Sequence, residues 1–331
     1  MQLYKASKVI LFLTLIVMLA ACGNSAVTNN AAVVGSPSPE TSDTPSNEIA
    51  ALTKKLQTIR GEVEIPIHPK RIVTEGYLPE LLVLGIKPVG APKWELEKKV
   101  LEDQIDGVES TGEGTPEAIL ALDPDLIVTW VNESSVIEQY EKIAPTIVIP
   151  SNQFEGIHET LRYLGKTLDK EDNAEKWLAD FDQTVEISRA QLTDIVQPED
   201  TFSLMGVFVV NNGFYIYGDG EYRGGEAIYK HLQLNPPEKQ KQEMIGKETY
   251  RKISYEVIGD YAGDYIFLDE GDRISEVWGE NEGVWKSLDA VKNDRVLQLD
   301  SDLFWGNDAI SLKQQIQEIV KMLAKKTKQQ S

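Results

Sequence analysis

Runs of β-branched, aromatic and aliphatic residues recur along the chain, separated by segments in which apolar residues return every three or four positions. The runs at 71–74, 125–130, 146–149, 203–210, 214–217, 264–268 and 295–299 are mostly continuous apolar stretches, as expected of strands covered on both faces. Helical segments lie between most of them, and that alternation predicts an α/β architecture. In the middle of the chain Ala174, Trp177, Leu178, Phe181, Val185, Leu192 and Ile195 form the single stripe of a helix buried along one side. From Asp172 to Ile195 such a helix spans about 36 Å at 1.5 Å per residue. Gln197-Pro198-Glu199-Asp200 then stops it.

This rod divides the chain into two parts of similar size, and the parts resemble each other. The first holds Thr115-Pro116-Glu117-Ala118-Ile119, and eight residues after Glu117 comes Asp125-Leu126-Ile127-Val128. The second holds Ser254-Tyr255-Glu256-Val257-Ile258, and eight residues after Glu256 comes Asp264-Tyr265-Ile266-Phe267. In each, a hydroxyl residue suited to capping and a glutamate in the first turn start a short helix that feeds a strand. Upstream, Glu80-Leu81-Leu82 and Glu226-Ala227-Ile228 open another matched pair of helices. The expected fold is therefore two similar α/β lobes, 55–170 and 198–331, joined by one long connecting helix, 171–197, with a ligand cleft between the lobes.

The first 50 residues belong to neither lobe. Lys5 and Lys8 precede an apolar run from Val9 to Met18 broken only by Thr14, and Leu19-Ala20-Ala21-Cys22-Gly23 follows. That is a secretory signal with a cleavage site, and the run is shorter than the roughly 20 residues that span a bilayer. Residues 1–21 read as a lipoprotein signal peptide, and Cys22 as the acylated first residue of the mature chain. Residues 22–50, dominated by Ser, Thr, Asn, Pro, Gly and Ala, read as a tether with too little apolar surface to order itself. Cys22 is the only cysteine, so no intramolecular disulfide can form and stability rests on the buried core.

A net charge of −20 excludes nucleic acid as a natural partner, because binding to phosphates depends on Lys and Arg. Catalytic signatures are missing from the sequence: there is no Gly-x-Ser-x-Gly elbow, no Walker loop and no thiol in the body of the chain. Gly112-Glu113-Gly114 and Gly218-Asp219-Gly220 read as tight turns rather than dinucleotide sites. His68, His158 and His231 are the only histidines and are scattered, whereas a receptor for bare zinc or manganese would gather several imidazoles. Any metal handled here is expected inside a chelate, with no metal held directly by the protein and no cofactor.

Aromatic residues are better placed. Trp130 directly follows one apolar strand, and Phe304-Trp305 follows another, past strand ends where open α/β sheets hold ligands. Tyr215 and Tyr217 alternate on a strand, and the next loop delivers Tyr222-Arg223 ahead of Gly224-Gly225. Arg223 offers up to about five hydrogen bonds to chelate oxygens, and the glycines beside it leave it without cover. It is the foremost candidate contact. Lys93, beside Trp94 in a first-lobe loop, could add a second positive group.

Four further segments carry a resemblance: 65–73 around Pro66, His68 and Pro69; 84–90, Leu-Gly-Ile-Lys-Pro-Val-Gly; 116–128; and 140–146, Tyr-Glu-Lys-Ile-Ala-Pro-Thr. In order and spacing they resemble the iron-siderophore solute-binding lipoproteins of ABC importers, which have the class III periplasmic-binding-protein fold. The segments 217–226, 261–266 and 304–308 are similar to the ferric hydroxamate-binding subgroup. The resemblance implies that an arginine at the position of Arg223, with Trp130, Tyr215 and Trp305, holds the chelate. Tyr217, Tyr222, Phe304 and Trp94 complete the candidate ligand set. Glu221 stands where some members have a tryptophan. The resemblance also gives Glu117 and Glu256 the role of docking to permease arginines, alongside their fit to helix N-termini.

Charge supports the same narrowing. A tris-catecholate ferric complex carries about three negative charges and calls for a basic cluster, whereas neutral or cationic hydroxamates suit an aromatic pocket with one arginine. The expected protein is a monomeric receptor, lipid-anchored on the extracytoplasmic face of the cell membrane, that captures a ferric siderophore for an ABC permease and is not an enzyme. A helical connector predicts only small lobe movement. The alternatives are a haem or cobalamin receptor of the same fold, and a secreted α/β hydrolase.

Overall fold

The computed structural model describes residues 52–208 and 211–330, so the expected leader, Cys22 and the tether lie outside the described residues. The described chain opens with an antiparallel hairpin of β1 (Thr53–Thr58) and β2 (Gly61–Pro66). Leu56, Val63 and Ile65 pack on the core from one face, while Lys55, Glu62 and Glu64 face outward.

Two five-stranded sheets follow. The first contains β3 (Ile72–Glu75), β4 (Gly90–Ala91), β5 (Glu109–Ser110), β6 (Leu126–Thr129) and β7 (Thr146–Val148), all parallel, in the order β5-β4-β3-β6-β7. The second contains β8 (Phe202–Phe208), β9 (Gly213–Tyr217), β10 (Tyr250–Ile253), β11 (Tyr265–Asp269) and β12 (Val296–Gln298), in the order β10-β9-β8-β11-β12. The two orders correspond position by position, which is the repeat read from the sequence. They differ in that β8, β9 and β10 pair antiparallel, so a hairpin joins β8 to β9 where a helical crossover joins β3 to β4.

Both sheets are covered on both faces, and the side chains divide between them with the two-residue period of a strand. Leu126 and Val128 point into one core while Ile127 points into another. Leu204 and Phe267 go to the first of these, whereas Met205, Ile266 and Leu268 go to a third, under the helices at 274–292. One core therefore runs without interruption through both sheets, the connecting helix and the C-terminal helix.

The connecting helix is Glu171–Leu192, about 33 Å long. It buries Ala174, Leu178, Phe181, Val185, Ser188 and Leu192. The stripe read from sequence ran on to Ile195. The helix stops at Leu192, and Ile195 packs on the core from the turn beyond. Phe181 stacks on Trp177 at 5.3 Å and receives His158 and His231 on its edges, so two of the three histidines are packing partners of one ring. The C-terminal helix, Ala309–Gln330, lies against the connecting helix and is tied to it by the Lys313–Asp180 ion pair. It also reaches the helix Leu78–Val83, so the C-terminal helix packs on the first lobe as well as the second.

Candidate ligand-binding cleft

Arg223 sits at a turn that its own backbone makes unusual. It has φ +61, and Gly224 after it has φ +84, a left-handed pair that swings the arginine back over the second sheet. A side chain at Gly224 would put its Cβ 2.6 Å from Phe304 Cδ1, so the glycine is what lets the turn press onto that ring. The arginine does not stand uncovered, as the glycines suggested, but is 4% exposed. Its Nη1 donates to Asp269 Oδ1 at 3.0 Å, its Nη2 lies 3.8 Å from Glu270 Oε1, and its guanidinium lies 4.3 Å from the centroid of the Trp305 ring. Burial raises the Asp269 carboxyl to about 6 despite Arg223, with Glu270 adding to the rise. Tyr217 is nearly buried beside it, its hydroxyl 3.5 Å from Asp269 Oδ2, and burial holds that phenol above its usual range.

Trp305 is presented by a braced loop. Phe304 is fully buried in the core, which corrects its expected place in the ligand wall: at this turn successive side chains point in opposite directions, one anchoring and one exposed. Gln315 of the C-terminal helix donates to the carbonyls of Leu303 and Gly306 at 2.8 and 2.6 Å, fixing the backbone on both sides of Trp305. Tyr215 joins a line of rings, Phe208–Tyr215–Tyr250–Tyr222, each about 6.2 to 6.3 Å from the next. Tyr222 and Tyr250 are the exposed members.

On the first lobe Trp94 and Trp130 meet at 5.8 Å, both partly exposed. Gly76, with φ +109, makes room for Trp130, whose Cδ1 would lie 2.6 Å from an added Cβ. The cation near Trp94 is not Lys93, which turns outward to Glu97, but Lys98, 5.1 Å from the Trp94 ring. Lys98 also bonds Asp308 at 2.9 Å, three residues past Trp305, and so joins the aromatic groups of the two lobes.

Two buried carboxyls, Glu95 and Glu80, gather near this junction and a third, Glu75, closes β3; none was read from the sequence as a buried acid. Glu95 accepts from the backbone of Leu78 and Gly76 at 3.1 and 3.2 Å, and burial raises it to about 8. Glu80 accepts from Ala309 N at 3.0 Å, with Oε2 lacking a partner, and burial raises it to about 7. Glu75, receiving the Thr111 hydroxyl at 2.6 Å, is also raised by burial to about 7. Burial opposes the charge of Lys98 in the same region, yet Asp308 holds it above its usual range.

All three glutamates bind a proton more tightly in the fold than in the unfolded chain. Their stabilising contribution is present in full below about pH 4.5 and is lost as pH rises toward 7 to 8. Glu80→Gln mimics the protonated form and is expected to raise stability by about 1 kcal/mol more at pH 8.5 than at pH 6. Urea unfolding at the two pH values measures this. A variant weakened at both would mean that the fold needs the anion.

Glu117 lies exposed in the first turn of Pro116–Ala121, capped by Thr115, and Glu256 lies exposed in the first turn of the 3-10 helix Tyr255–Asp260. These elements feed β6 and β11, which hold equivalent places in the two sheets. Among the described residues no three His, Cys, Asp or Glu side chains form a metal-binding group.

The sequence pattern of the periplasmic binding protein family matches residues 72–303. An iron(3+)-hydroxamate-binding protein of Bacillus subtilis, FhuD, is 36% identical over 320 residues, covering 95% of this chain and 96% of its own length. A second from the same organism, YxeB, is 35% identical over 294 residues, covering 86% and 90%. Among solved structures, a FhuD-fold periplasmic binding protein component of a ferrichrome ABC transporter from Bacillus subtilis superposes with a TM-score of 0.75 at 35% identity, covering 82% of this chain and all of its own. The chain belongs to the periplasmic binding protein family, and the resemblance to ABC-importer binding proteins drawn from the sequence holds.

Proposed function

We propose that this protein captures a ferric siderophore of the hydroxamate type in the cleft between its lobes and delivers it to an ABC permease for iron uptake. The observation that carries this is Arg223, fixed between Asp269 and the face of Trp305 at the edge of an aromatic wall. Such a guanidinium is oriented in advance to donate to chelate oxygens, while Trp305, Tyr222, Trp130 and Trp94 keep exposed ring surface for the chelator's apolar arms. Tyr215 and Tyr217 support that wall from beneath. Iron enters as cargo inside the chelate, with the hydroxamate oxygens as its ligands. The relatives' names give the same ligand class.

Titration with ferric hydroxamates and ferric catecholates, followed by tryptophan fluorescence, tests the reading. Saturable quenching by hydroxamates alone is expected, because Trp130 and Trp305 are in contact range of the ligand. Quenching by catecholates alone would keep a siderophore receptor and discard the ligand class. No response to either would end the reading.

Glu117 and Glu256 form the docking pair for the permease in this proposal, one exposed carboxylate on each lobe. Replacing both by alanine is expected to leave siderophore affinity unchanged and to reduce cellular uptake of the iron complex at least about tenfold, since paired charges across an interface are worth several kcal/mol. Normal uptake by the double variant would remove them from that role. The protein acts as a monomer held on the extracytoplasmic face of the membrane by lipid on Cys22, with residues 22–50 as the tether.

A further inference from the structure

Apart from the buried glutamates Glu75, Glu80 and Glu95, the charged side chains around the cleft fall into pairs. Arg223 is matched by Asp269 and Glu270, Glu270 is matched again by Arg273 at 3.1 Å, and Lys98 is matched by Asp308. Glu226 is held by Asn307 and lies 3.5 Å from His231. Glu221 is in none of these pairs. It is half-buried on the loop that presents Arg223, two residues earlier, and its charge reaches the Tyr77 hydroxyl of the other lobe. That hydroxyl is committed elsewhere, donating to Ile149 O at 2.6 Å. The charged groups felt at Glu221 are Glu226, which repels it, and Lys230, which is exposed and forms no ion pair with it. Burial, with Glu226 adding to it, holds the Glu221 carboxyl above the usual carboxylate range.

A partly desolvated carboxylate with no ion-pair partner is costly, and a cation on a ligand relieves that cost. We infer that Glu221 is a specificity residue for ligand charge: the cleft favours ferric hydroxamates that carry a free ammonium group, which Glu221 receives while the chelate lies on Arg223 and Trp305. Because Arg223 is already neutralised by two carboxylates, it serves as an oriented donor and gives the cleft no net positive charge with which to attract an anionic complex. The inference rests on the hydroxamate reading above.

Ferrioxamine B and its N-acetyl derivative present the same chelate with and without the ammonium group. The full chain in detergent micelles and its Glu221→Gln variant are titrated with both, following tryptophan fluorescence. The native chain is expected to bind the amine form about tenfold more tightly, as an opposite charge at a half-buried site provides. Glu221→Gln is expected to bind both forms within about twofold of each other, and the acetylated form as well as the native chain does. Equal affinities in the native chain, or a preference that survives in Glu221→Gln, overturn the assignment. A variant that loses both ligands equally makes Glu221 structural and overturns it too. Failure of the native chain to bind either form is a different result: it removes the hydroxamate reading itself.

Discussion

Replacing Arg223 by alanine is expected to lower stability by about 3 kcal/mol at pH 7.5, in addition to abolishing ligand binding, because it strands a carboxylate with no solvent to receive it. Asp269 is completely buried, with Glu270 next to it, and Arg223 is its cationic partner. Its carboxyl is already raised to about 6 with the arginine in place, and rises further without it. The loss is therefore small near the unfolded value of about 3.8 and grows as pH rises toward the new folded value. Urea unfolding at pH 5 and pH 7.5 should show the larger deficit at the higher pH. The double change Arg223→Met with Asp269→Asn should restore most of the stability while leaving binding absent. A deficit independent of pH would mean that the arginine contributes by packing alone, and a double variant that binds would remove it from the ligand site.

Phe304→Ala is expected to cost about 3 to 5 kcal/mol, the range for emptying a buried aromatic site. The ring is fully buried and lies against Gly224 on one side and the shared core on the other. Ligand affinity should fall with it, since Trp305 and the Arg223 turn lose their common seat. Trp305→Ala, at an exposed ring, should instead change stability by less than about 1 kcal/mol and still weaken binding strongly. The comparison is read from thermal midpoints and ligand titrations of the two variants. A Phe304→Ala protein as stable as the native chain, with only its affinity reduced, would return Phe304 to the ligand wall.

The contrast between these neighbours shows what could be read from the chain. Strands buried on both faces announce themselves as apolar runs, so the seven runs at 71–74 through 295–299 all correspond to strands. Strands that are short or exposed leave weaker marks. β4 and β5 have two residues each, β1 and β2 alternate with charged residues, and β10 is Tyr-Arg-Lys-Ile at a sheet edge. Residues past strand ends were sought as ligand contacts, and Arg223 and Trp305 do lie together. Their partner Asp269 was missed because the strand was read only to its last apolar residue, one short of the carboxylate that closes it. Glu75, which ends β3, likewise lies one residue past the run 71–74. The depth of Phe304 depends on which way a turn faces, and this is settled by Gly224, far away in sequence.

The C-terminal helix lies on the connecting helix and reaches the first lobe, within a core that has no seam between the halves. Neither half can be peeled away while the other remains folded, because each leaves part of the other's apolar surface bare. The described residues are consequently expected to unfold as one cooperative unit despite the architecture of two lobes, and calorimetry should show a single transition. A protease that works by trapping partly opened states is then expected to find none short of global unfolding in which a whole lobe is exposed.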